Sequence, residues 1–160
     1  MISIKENLIY ELIEIDSKEK PISYGAHCRV YDYSEDLILK VINFSCSGQH
    51  EFIRYCKGKD SKHLPRIENI FTRGRKTYIL MERLEEITGA LQFKLQEREA
   101  NTKSFERETY LWRGISKSLD SVLDDMEMWF CSEEYEWDLH SGNVMVRPSD
   151  NQIVIIDPWA

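Results

Sequence analysis

The chain opens on an amphipathic pattern. Ile4, Leu8, Ile9, Leu12 and Ile13 recur at helical spacing, which predicts a short helix over the first fifteen residues. Pro21 and Gly25 then mark a change of period. Residues 22–24, 29–33 and 37–42 are short, β-branched and aromatic-rich, with Ser34, Glu35 and Asp36 as turn residues between the last two. Together they read as an antiparallel meander. A polar, helix-compatible stretch follows from Gln49 to Lys57 and ends near Gly58. Two further strands, 66–72 and 77–81, are expected on either side of Arg73-Gly74-Arg75. Five strands and one inserted helix therefore precede residue 85.

Beyond Glu85 the pattern turns helical. Residues 88–100 are weakly patterned and read as a helix. Leu111, Ile115, Leu119, Val122, Met126 and Trp129 form one apolar stripe, predicting a single long helix with Ser104 as its N-cap. Two short strands follow at 144–146 and 153–156, separated by Pro148, Ser149, Asp150 and Asn151. No repeat, low-complexity tract or Gly/Ser-rich linker divides the 160 residues, so one domain is expected.

Composition narrows the functions. Apolar content of 42% and charged content of 31% are those of a globular protein. A net charge of −7 argues against a broad phosphate-backbone footprint, so nucleic acid is not the expected partner. Cys28, Cys46, Cys56 and Cys131 are scattered without metal-like spacing and read as thiols of a reducing, cytoplasmic compartment. Lys5, Glu6, Glu11 and Glu14 interrupt the N-terminal apolar pattern, so it does not read as a signal peptide. No apolar run approaches the ~20 residues of a membrane span.

The chemistry concentrates near the end. Trp137-Asp138-Leu139-His140-Ser141-Gly142-Asn143 is a loop with Asp and Asn five apart, followed by a hairpin and by Asp157 at a strand end. Phosphoryl transfer needs such parts. One carboxylate orients an acceptor hydroxyl and takes its proton, while an oxygen ligand and a second carboxylate hold divalent cations on the phosphates.

This stretch resembles the catalytic loop and metal-binding segment of the protein-kinase-like superfamily, and its D-x-H-x-x-N form is closest to the aminoglycoside and choline phosphotransferase branch. The resemblance implies an α+β, two-lobed fold with a five-stranded antiparallel N-lobe sheet (1–84, with an extra N-terminal helix) and a reduced helical C-lobe (85–160). It implies Asp138 as catalytic base, Asn143 and Asp157 as Mg ligands, and His140 as a brace of the loop, with Trp137 as packing. Lys40, a charge inside the apolar run Leu37-Ile38-Leu39-Lys40-Val41-Ile42, would be the lysine on the ATP phosphates. Glu51, the sole carboxylate between Asp36 and Asp60, would be its partner. Tyr78-Ile79-Leu80-Met81-Glu82-Arg83-Leu84 resembles the strand and hinge that carry adenine, with Met81 as gatekeeper and the backbone near Arg83 and Leu84 on the base.

The sequence also departs from that pattern. Of the three glycines of the phosphate-covering loop, Tyr24-Gly25-Ala26-His27-Cys28-Arg29 keeps Gly25 alone, with His27 and Arg29 as candidate compensating cations. Asp157-Pro158-Trp159-Ala160 stands where D-F-G would, and no activation loop follows in the sequence. Shortened kinases of this kind resemble those of bacteriophages and secreted bacterial effectors. The expected activity is an ATP- and Mg-dependent phosphotransferase acting on a protein or small-molecule hydroxyl, unregulated by activation-loop phosphorylation. The alternative is a pseudokinase-like binding module that captures or inhibits a partner protein.

Overall fold

The computed structural model describes residues 4–44, 47–101, 108–129 and 136–159. The chain divides into two compact units, Met1–Cys46 with Arg66–Arg83, and Ser47–Pro65 with Leu84–Ala160.

The first unit contains α1 (Ile4–Lys18), β1 (Ser23–Tyr24), β2 (Cys28–Asp32), β3 (Leu37–Asn43), β4 (Ile67–Arg73) and β5 (Lys76–Glu82). The strands form one antiparallel sheet in the order β1-β2-β3-β5-β4. Each lies within a residue or two of its sequence expectation. Strand pleating sends Leu39 and Val41 of β3 to the same face as Tyr31 of β2 and Tyr78 and Leu80 of β5. Leu12 of α1 completes that buried cluster, flanked by Leu8, Ile13 and Ile15, which satisfies the helical periodicity of the sequence. Full burial of Leu12 contributes about 2 kcal/mol.

A buried carboxylate fastens the end of α1. Asp16 accepts hydrogen bonds from Tyr31 Oη at 2.8 Å, Tyr78 Oη at 3.2 Å and Lys76 Nζ at 2.5 Å, with Arg29 3.9 Å away. Burial pushes its carboxyl up, but the bonds from Lys76 and Tyr31 and the charges of Lys76 and Arg29 together hold it below the usual value. The Tyr31 hydroxyl is pushed up to about 12 by burial and by the Asp16 carboxylate.

The second unit contains α2 (Ser47–Cys56), β6 (Glu85–Glu86), α3 (Gly89–Asn101), a 3₁₀ turn at Glu108–Trp112, α4 (Lys117–Trp129), a 3₁₀ turn at Ser141–Asn143, β7 (Val144–Arg147) and β8 (Gln152–Ile155). The strands form an antiparallel sheet, β6-β7-β8. The described residues thus make a mixed α+β fold with a five-stranded antiparallel sheet and four α-helices.

Residues 47–65, assigned to the first lobe on sequence, are held within the second unit, and specific bonds explain it. The buried Arg147 guanidinium donates to Lys62 O at 2.7 Å and Leu64 O at 3.1 Å. The His63 ring lies 2.7 Å from Ile153 O through Nδ1 and 2.8 Å from Ser118 Oγ through Nε2, and burial lowers its pKa. Ile155 N–H donates to His63 O at 3.0 Å. Phe52 and Tyr55 of α2 pack edge-on against Trp159, each with ring centroids 5.9 Å from it.

The single long helix expected across 111–129 is broken. Leu111 lies in the 3₁₀ turn, and α4 begins only at Lys117. Gly114 has φ +76°, a left-handed conformation that stops a helix and suits glycine. Ser116 then caps α4, its Oγ accepting from Leu119 N–H at 3.2 Å. Ser104, Cys46 and Cys131 lie outside the described residues, while Cys28 and Cys56 are reduced thiols. No helix among the described residues is long and apolar enough to cross a membrane.

Candidate functional site

In the first unit, Lys40 sits mid-strand on β3, opposite Val30 of β2 and Ile79 of β5, with 8% of its surface exposed. Alternation places it on the sheet face opposite the α1 cluster. Met81, paired with Ile38, lies on that same face, so the sheet brings Lys40 and Met81 together at a diagonal.

Gly25 forms the turn between β1 and β2. Its N–H donates to Cys28 O at 2.9 Å, and a Cβ at this position would stand 2.8 Å from Cys28 Sγ. Arg83 is committed within the unit. Its N–H donates to Asp36 O at 2.8 Å, and its guanidinium to Asp32 Oδ1 at 2.6 Å, Ser34 O at 2.8 Å and Glu35 O at 3.0 Å. Of the backbone groups near Arg83 and Leu84 expected on a base, the Arg83 N–H is taken by the turn between β2 and β3. Leu84, the first residue of the second unit's longer segment, is buried.

In the second unit, the 138–143 loop is tied down along its length. Asp138 N–H donates to Pro158 O at 2.8 Å, and Ile156 N–H donates to Asn143 O at 3.0 Å. Asp157 lies between those two anchors, so backbone bonds bring Asp138, Asn143 and Asp157 together. Asn143 Nδ2 donates to Asp138 O at 2.6 Å and to Asp138 Oδ2 at 3.1 Å. With the amide nitrogen so directed, Oδ1 is the acceptor end of the Asn143 side chain. The Asp138 side chain remains 46% exposed, open to a reaction partner.

His140 organises the turn rather than the chemistry. Gly142 N–H donates to its Nδ1 at 3.0 Å, and the other ring nitrogen is Nε2. That nitrogen lies 3.2 Å from Asn143 Nδ2 and 3.6 Å from Asp138 Oδ1. Trp137 forms a β-bridge with Trp159, and their rings meet edge-on at 5.9 Å.

Three residues that hold this site carry no sequence signal of their role. Buried Trp112 donates from Nε1 to Leu139 O at 2.7 Å, and Glu99 of α3 accepts from Ser141 N–H at 3.0 Å. Gln49 of α2 donates from Nε2 to Asp157 Oδ2 at 2.5 Å. Glu51, expected as the partner of Lys40, has its carboxylate taken by Arg54 at 3.0 Å and by Trp129 Nε1 at 3.1 Å, both within the second unit.

The donor set of the loop is one amide oxygen and one carboxylate, the hard oxygens that suit Mg²⁺. Among the described residues no three His, Cys, Asp or Glu side chains gather into a metal-holding group.

No protein-family model and no curated protein matches the chain. Solved structures match over most of it. The crystal structure of Rad53 1-466 in complex with AMP-PNP is similar at a TM-score of 0.52 and 14% identity, over 87% of this chain and 36% of that one. WbdD is similar at a TM-score of 0.46 and 16% identity, over 88% of this chain and 31% of that one. The chain therefore spans about a third of the length of these solved chains. At such identity the likeness to the Rad53 structure concerns the fold alone, and that fold is kinase-like.

Proposed function

We propose that the chain is a minimal phosphotransferase that uses Mg–ATP to phosphorylate a protein or small-molecule hydroxyl. The observation that carries this reading is the Asp138–Asn143–Asp157 constellation, in which Pro158 O and Asn143 O tie the backbone on both sides of Asp157 to the loop. The kinase-like fold and the nucleotide analogue in the Rad53 structure support it. Asp138, half exposed and held by Asn143, would orient the acceptor hydroxyl and take its proton as that oxygen bonds to the γ-phosphorus and the bond to the β–γ bridging oxygen breaks, releasing ADP. Asn143 Oδ1 and the Asp157 carboxylate would hold the divalent cation, which would neutralise charge on the phosphates when bound. In this reading Lys40 would meet the phosphates, Gly25 would let the β1–β2 turn approach them, and Met81 with backbone groups near Arg83 and Leu84 other than the Arg83 N–H would meet the base. Glu51 is engaged by Arg54 and Trp129 within the second unit.

The experiment is label transfer from γ-labelled ATP with Mg, using purified protein alone and with cell lysate. Asp138→Asn preserves size and the contact with Asn143 but cannot take a proton. Its transfer rate is expected to fall about 10²-fold or more with nucleotide affinity little changed. Undiminished transfer by Asp138→Asn contradicts the assignment.

A further inference from the structure

We propose that Gln49 is a positioning residue for the Asp157 carboxylate, holding it in the orientation that receives a divalent cation; this rests on the Mg–nucleotide reading of the same site. Gln49 lies on α2, 108 positions from Asp157 in sequence, and its Nε2 reaches Oδ2 at 2.5 Å. Its side chain is more than nine-tenths buried, and its Oε1 is enclosed without a hydrogen bond among the described residues. Enclosing an amide oxygen in that way costs on the order of 1–3 kcal/mol. A position that served packing alone would be filled at less cost by Met or Leu. The amide is therefore explained by what its other end does, which is to donate to Asp157.

The type of donor matters. Lysine or arginine at this position would set a positive charge against Asp157 and oppose an arriving cation. A carboxylate would repel it. A neutral amide fixes one carboxylate oxygen without adding a charge of its own.

The helix that carries Gln49 also holds the segment beyond Asp157. Phe52, three positions along α2 and on the same helical face, packs edge-on against Trp159 at 5.9 Å. Gln49 on Asp157 and Phe52 on Trp159 make a two-point clamp on residues 157–159.

Mn²⁺ is the probe, followed by loss of the free-ion EPR signal as the full chain is titrated with Mn²⁺ in the presence of ADP. ADP binding without metal is measured in parallel in EDTA. Gln49→Met, close in volume but without the donor, is expected to weaken Mn²⁺ binding about tenfold while metal-free ADP binding stays unchanged. Gln49→Asn keeps an amide one methylene short of Asp157, and the same loss is expected there should the Met variant fail to fold. A purely structural role would lower the melting temperature without this split. Mn²⁺ affinity within twofold of wild type in a folded variant overturns the proposal. If wild type binds Mn²⁺–ADP and Asp157→Ala loses it while Gln49→Met does not, the positioning role alone falls. If wild type and Asp157→Ala both fail to bind Mn²⁺–ADP, the reading of the site falls and this inference with it.

Discussion

Asp16 is the clearest case of one side chain deciding local structure. It ends α1 in a pocket of two tyrosine hydroxyls and a lysine, and burial at that depth is tolerated because every donor around it points inward. Asp16→Asn keeps the shape but removes the charge that Lys76 and Arg29 answer. Both cations are more than a third exposed and can turn to water, so the loss is moderate. The expected cost is about 2 kcal/mol in chemical denaturation, and an unchanged midpoint would refute it. The sign with pH follows from the lowered carboxyl. Asp16 contributes its stability above the ordinary carboxylate value of 3.8 and loses it as pH falls through the lower folded value. Lys40 has a different logic. It is a charged residue set mid-strand between Val30 and Ile79, and its proposed role is the contact with phosphate.

At the scale of elements, Gly114 separates two accounts of residues 111–129. Within one continuous helix, Gly114→Ala would stabilise the protein by relieving glycine's cost. With φ at +76° the same change forces a side chain into the left-handed region, and nothing within 4 Å offsets or adds to that strain. Thermal unfolding of Gly114→Ala is therefore expected to show a loss of about 1 kcal/mol; a gain would restore the continuous helix. The apolar stripe misled here because Leu111 and Ile115 keep helical spacing with Leu119 across the break. The stopping glycine and the capping Ser116 were present but local signals of that kind lose to a long period. Strands of the first sheet were legible because alternation and turn residues are local, and Asp138, Asn143 and Asp157 were legible because their spacing is short. Gln49, Glu99 and Trp112 were not. Each reaches the site from an element 27 to 108 positions away, and no periodicity encodes which side chain will arrive. The two-residue strand β6 is too short to have a period.

Taken whole, the molecule divides its candidate chemistry between two compact units. Lys40 and Met81 share a sheet face in the first, and Asp138, Asn143 and Asp157 share a pinned loop and strand end in the second. With a net charge of −7, any phosphate must be met by such local groups and by metal rather than by a general positive field. The proposed use of Mg–nucleotide is tested in a single measurement, the melting temperature with and without nucleotide. At about a hundredfold excess over Kd, Mg–ATP is expected to stabilise wild type by about 2.7 kcal/mol, a rise of roughly 5–10 °C for a chain of this size. EDTA, Lys40→Ala and Asp157→Ala are each expected to remove most of that rise while the ligand-free proteins still melt cooperatively. No rise at millimolar Mg–ATP, or a rise that survives both substitutions, would contradict the assignment of this chain as a nucleotide-dependent phosphotransferase.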